Sequence, residues 1–178
     1  MWLVGYWLLT TSAVPIVVAS DAAVGNATST ALHKKHKPLT QLAHLIRHGE
    51  KDDGDDLSPR GQQRARCLAD RLLDAGITHL FAYDDKPSRR PVETITPLAK
   101  ALGLDIDVSY KRDEVKELVA AIGALDADAV VLVCWEHTVL TSIAHHLGVD
   151  SPPDYPSDEY DWEWTILEGA LKQSSEDC

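Results

Sequence analysis

Apolar positions recur along this chain with two periods, one of two residues and one near 3.6, and segments of the two kinds alternate. Thr40–Ile46 is a short apolar run stopped by Arg47, which predicts a buried strand. After the acidic turn-rich loop Asp52–Asp56, Ser58-Pro59 supplies a helix N-cap and a proline at the first helical position. Ala65, Leu68, Ala69, Leu72 and Leu73 then make one apolar face, and Gly76 closes that helix. His79–Tyr83 reads as a second strand. Val92, Ile95, Ala99 and Leu102 stripe a helix over residues 88–102, in which Pro97 predicts a kink. A short strand is expected over 105–109 and a helix over 113–122. Ala129–Cys134 is a continuous β-rich apolar run of the kind covered on both faces. A helix over 137–147 ends at Gly148, and Trp162–Leu167 alternates like a late strand. This alternation predicts a three-layer α/β domain, a mostly parallel sheet flanked by helices on both faces.

The start of the chain has a different pattern. Trp2–Ala19 is nearly all apolar, is short for a bilayer span of about 20 residues, and is followed by small residues around Ser20. A cleaved signal peptide over residues 1–20 is expected, with an uncleaved signal-anchor as the alternative. Residues 21–38 read as a disordered leader containing the sequon Asn26-Ala27-Thr28 and the basic cluster His33–Lys37. Residues 39–178 then form one domain, expected to be secreted or held in the secretory-pathway lumen. Cys67, Cys134 and Cys178 are too few for a disulfide scaffold. Cys67 and Cys134 are expected as independent buried thiols, with a bridge between them as the alternative. The formal net charge of −11 disfavours nucleic acid or, once a signal is removed, anionic membrane as a partner. It also means that an anionic substrate must be drawn in by a local basic site.

In parallel sheets, ligands bind beyond the carboxyl ends of the strands. Two such ends carry chemistry, Arg47-His48-Gly49-Glu50 and Trp135-Glu136-His137. Gly49 allows close backbone approach, and His137 opens a helix whose free N–H groups favour an anion. A neutral imidazole is a competent nucleophile toward phosphorus, and a guanidinium clamps phosphate oxygens through paired charge-assisted hydrogen bonds. The set points to phosphate chemistry, although Arg-His-Gly-Glu alone also suits a solvated loop.

Two further motifs fall between these ends: Leu57-Ser58-Pro59-Arg60-Gly61 with Gln63 and Ala65, and Ser88-Arg89-Arg90-Pro91-Val92-Glu93-Thr94. With all four in this order, roughly Leu39–Gly148 resembles the histidine phosphatase (phosphoglycerate mutase-like) superfamily. The Trp-Glu-His form and the Tyr155–Trp164 stretch look like a small exported branch of it. The resemblance implies a metal-independent phosphomonoesterase without a cofactor, acting on a small phosphorylated substrate. His48 would become the phosphohistidine, Arg47 and Arg90 would bind phosphate oxygens, and His137 would donate to the same phosphoryl group. Arg89 is the rival of Arg90, which the register favours because Glu93-Thr94 follows it at the matching distance.

The proton donor stays open. Glu136 stands where many members have a small or hydroxyl residue; it either acts as an acid with a raised pKa or points away from the site. The family's acid more often comes from mid-chain, where Asp113 is preferred slightly over Glu114. The chain is short for a mutase. A reading from another class is a catalytically weak or inactive secreted phosphate-binding protein on the same fold.

Overall fold

The computed structural model describes residues 37–86 and 88–178. The expected signal peptide, the sequon and nearly all of the leader lie outside the described residues. The elements are β1 (Leu42–Arg47), α1 (Pro59–Leu72), β2 (His79–Ala82), α2 (Arg90–Leu102), β3 (Ile106–Asp107), α3 (Val115–Gly123), β4 (Val130–Trp135), α4 (His137–His146), β5 (Trp162–Leu167) and β6 (Ala170–Ser175). They build one six-stranded sheet in the order β3-β2-β4-β1-β5-β6. The first four strands in that order run parallel, β5 lies antiparallel to β1, and β6 antiparallel to β5. The expected three-layer α/β fold is the one found.

Pleating sends successive residues of a strand to opposite faces. Val131, Val133 and Trp135 of β4 pack with Leu118 and Ile122 of α3 and Leu140 and Ile143 of α4. Leu132 and Cys134 pack with Leu68 and Leu72 of α1 and Ile95 and Leu98 of α2. Because both faces of β4 are covered, every residue from Val131 to Trp135 is fully buried, hence the unbroken apolar run. Ser58 caps α1 as expected, its hydroxyl accepting from the Gly61 N–H at 3.1 Å. Pro97 lies inside α2 without ending it.

Three expectations need correction. Cys67 is bonded neither to Cys134 nor left free: it forms a disulfide with Cys178, and Cys134 is the buried free thiol. Cys134 sits in the sheet core, whereas half-buried Cys67 lies on a flank of α1 reached by the residues after β6. Secondly, α3 begins at Val115, so Asp113 belongs to the preceding loop rather than to the helix. Thirdly, β6 was not expected at all. Its sequence, Ala-Leu-Lys-Gln-Ser-Ser, is polar on both faces, and it is joined to β5 by a tight turn with positive φ at Glu168 and Gly169.

Candidate active site

The register of the sheet brings the two motif-bearing strand ends together. β1 and β4 are neighbours and parallel, with Arg47 opposite Trp135, so His48 and Glu136 leave the sheet side by side. The His48 N–H still donates to the Trp135 carbonyl, at 3.1 Å. The turn after His48 rests against the start of α1, glycine to glycine. A Cβ on Gly61 would lie 2.2 Å from the Glu50 carbonyl oxygen, and one on Gly49 would lie 3.1 Å from the Gly61 backbone. This close approach explains a glycine in the Ser-Pro-Arg-Gly motif. α2 is tied to the same turn by Thr94, whose hydroxyl accepts from the Gly49 N–H at 2.9 Å and donates to the Arg90 carbonyl at 2.7 Å.

His48 is 3% exposed, and its Nδ1 lies 2.8 Å from the Gly49 carbonyl oxygen. A carbonyl only accepts, so Nδ1 carries the proton and Nε2 keeps its lone pair. Burial, followed by the charges of Arg90 and Arg47, pushes the imidazole down to about 4, although the Gly49 contact opposes the shift. Arg47 is also buried. Its Nη1 donates to the carbonyls of Ser157 (2.8 Å) and Glu159 (2.6 Å), and its guanidinium carbon lies 3.7 Å from the centre of the Tyr160 ring. Arg90 is the first residue of α2 and His137 the first of α4. Among the described residues, Arg47 Nε, Arg90 Nε and His137 Nδ1 are buried nitrogens with no protein partner. Burial and then the Arg47 charge hold His137 below its ordinary value, against the pull of Glu136. Arg89, by contrast, is 53% exposed at its side chain and pairs with Asp84.

The Glu136 carboxylate pairs with Arg112, and its charge is felt by Arg47, His48 and His137. Burial alone would raise its pKa. The 2.8 Å bond from Arg112 Nη1 and that cation's charge outweigh burial and hold the carboxyl below its ordinary range. Asp113 is exposed, and its charge is felt by Arg112. Glu114 accepts from the Lys111 N–H, closing its own loop.

Sequence reasoning missed Arg112, Tyr160 and the role of Arg64. Arg112 lies in a polar loop without a motif, and Tyr160 in an acidic stretch. Arg64, 3% exposed, makes a two-pronged ion pair with Glu50 and also donates to Asp161 and Glu176. The Glu of the Arg-His-Gly-Glu motif is therefore a bracket that fixes the histidine loop to α1. Within an acidic chain, the arrangement sets an imidazole whose Nε2 keeps its lone pair beside the two strand ends and α2 that carry Arg47, His137 and Arg90, side chains of the kind that bind oxyanions.

No protein-family model matches the sequence, and no curated protein matches it either. Solved structures do match in fold. The protein histidine phosphatase SixA, solved with tungstate, superimposes with a TM-score of 0.58 at 18% identity over 76% of this chain and 97% of its own. A mycobacterial glucosyl-3-phosphoglycerate phosphatase with inorganic phosphate gives 0.54 at 14%, over 75% and 94%. Phosphoserine phosphatase from Entamoeba histolytica with 3-phosphoglyceric acid gives 0.52 at 13%, over 76% and 98%. What the chain shares with these proteins is the phosphoglycerate mutase-like α/β fold.

Proposed function

We propose that this chain is a metal-independent phosphomonoesterase that works through a phosphohistidine at His48. The observation that carries the reading is the Nδ1 contact of His48 with the Gly49 carbonyl. It leaves Nε2 as the nucleophilic atom of a buried site that also holds the unpartnered donors of Arg47, Arg90 and His137. Nε2 attacks phosphorus, the bond to the leaving oxygen breaks, and that oxygen takes a proton from solvent or from Asp113. Water then attacks the same phosphorus, the P–N bond breaks, and inorganic phosphate departs with His48 neutral again. Arg47, Arg90 and His137 stabilise the charge that gathers on the equatorial oxygens. Glu136, kept ionised by Arg112, suits taking the proton of the attacking water better than protonating a poor leaving group. Asp113, rather than Glu136, is then the side-chain candidate for the proton of the leaving oxygen. We further infer a small phosphorylated substrate and an exported protein of a small branch; the Cys67–Cys178 disulfide supports an oxidising compartment.

An ionised Glu136 also favours a second reading, a secreted phosphate-binding protein with little turnover. Rapid quenching during turnover of a phosphorus-labelled aryl phosphate separates the two. Label should be trapped on the protein, stable in base and labile in acid, and absent from His48→Ala. Turnover that His48→Ala leaves unchanged refutes the mechanism. Phosphate that raises the melting temperature with no label trapped selects the binding protein.

A further inference from the structure

The segment before β5 does more than connect it to α4. Tyr155 is buried, packs on Trp162 and Trp164, and donates its hydroxyl to the Trp162 carbonyl at 3.0 Å. Asp161 receives Arg64 Nη1 at 3.0 Å and the Cys178 N–H at 3.1 Å, and its carbonyl receives the Glu176 N–H. The Glu159 carboxylate accepts from the N–H groups of Tyr160 (2.8 Å) and Asp161 (2.7 Å). The short stretch 157–161 is thus tied at both ends and braced within.

This braced stretch meets Arg47 in a specific way. Each of the two carbonyls, of Ser157 and Glu159, takes a hydrogen from Nη1, which has two to give. The Tyr160 ring lies on the guanidinium and stands edge-on to His48, with ring centres 6.4 Å apart. Nε, buried without a protein partner, and Nη2 remain, and together they form one planar two-donor edge.

Resting on the reading of His48 and Arg47 given above, we propose that Tyr160 is a positioning residue. With the carbonyls of Ser157 and Glu159 it fixes the rotation of Arg47, so that the Nε–Nη2 edge meets two oxygens of the phosphoryl group attacked by His48. In this role Tyr160 acts through Arg47, on whose guanidinium its ring lies, and not by a contact of its own with the substrate.

The test uses vanadate, which mimics five-coordinate phosphorus, with the full domain and its disulfide intact. Tyr160→Leu keeps bulk but loses the aromatic face, and Tyr160→Phe keeps the face but loses the hydroxyl. Tyr160→Leu should weaken vanadate binding about 5- to 30-fold, the scale of a cation–aromatic contact, and lower kcat/KM in step, whereas Tyr160→Phe should stay within about threefold of the wild type. In an Arg47→Ala background, Tyr160→Leu should cost nothing more, because its route is already cut. A folded Tyr160→Leu with unchanged vanadate affinity overturns the proposal. So does a loss of equal size in the Arg47→Ala background, which would mean direct contact or general damage. The phosphohistidine reading fails separately, by the absence of a trapped phosphoenzyme in a wild type that still binds vanadate; a wild type that does not bind vanadate overturns both.

Discussion

Acid pH distinguishes His48 from an ordinary histidine. Its burial, reinforced by Arg90 and Arg47, takes the imidazole down to about 4 from 6.5, so the neutral form that the proposed mechanism needs persists well into the acid range. At pH 5 a group titrating at about 4 is about 90% neutral, whereas one titrating at about 6.5 is only about 3% neutral, roughly a thirtyfold difference in available nucleophile. The sign follows: activity is present above the folded-state pKa and is lost as pH falls through it. Because kcat/KM reports the free enzyme, its acid limb should lie near 4 for an aryl phosphate, once the separately measured ionisation of the substrate is divided out. Removing a like charge should move that limb upward, so residual activity in Arg90→Ala should fail at a higher pH than in the wild type. An NMR titration of the His48 ring, assigned by its loss in His48→Ala, gives the same quantity without turnover. An acid limb and a ring titration both centred near 6.5 would refute the argument from burial.

Arg90→Ala should lower kcat/KM roughly thirty- to a thousandfold, by loss of a charge-assisted contact in a dry site, while Arg89→Ala, half-exposed and paired with Asp84, should change it little. Equal small effects on an aryl phosphate would show that the register of α2 has been misassigned. The disulfide joins residues 111 apart, for which chain entropy gives about 4.8 kcal/mol, so the double serine variant at Cys67 and Cys178 should lose about 3–5 kcal/mol in guanidinium unfolding. An unchanged midpoint would count against it. Gly61→Ala puts a methyl group 2.2 Å from the Glu50 carbonyl, which should cost about 1–3 kcal/mol and weaken vanadate binding by shifting the His48 turn. Wild-type behaviour in both measurements would mean that the two turns are not packed glycine to glycine.

Most of the fold could be read from the sequence because β1, β2 and β4 are covered on both faces and each of α1 to α4 has a one-sided apolar stripe. Burial wrote those patterns directly. β6 lacks such a pattern because, at the sheet edge, only Leu171 packs against the core. In the site, Arg47, His48 and His137 were legible because ligands gather at strand ends. Arg112 and Tyr160 were not, since each matters through a contact with a residue far away in the chain. Arg112 reaches Glu136 across 24 positions, and the Tyr160 stretch reaches Arg47 across 110. The pairing of Cys67 was misread for the same reason, and Glu136 changed meaning only once its cation was known.

The place of β1 in the sheet has a consequence for the order of events during synthesis. It lies between β4 and β5, yet it is translated before either, and His44 on β1 meets Glu163 on β5 only 119 residues later. At about 5–20 residues per second, roughly 6–24 s pass between the appearance of the two. Throughout that interval the central strand has a bare edge, apolar along Leu45 and Ile46, of the kind that recruits other strands. The His48 turn likewise lacks the Tyr160 stretch over Arg47, while Arg64 waits for Asp161 and Glu176. A nascent chain halted before Ser157 would therefore lack the contacts that hold Arg47 and would expose a strand edge of the kind that chaperones cover.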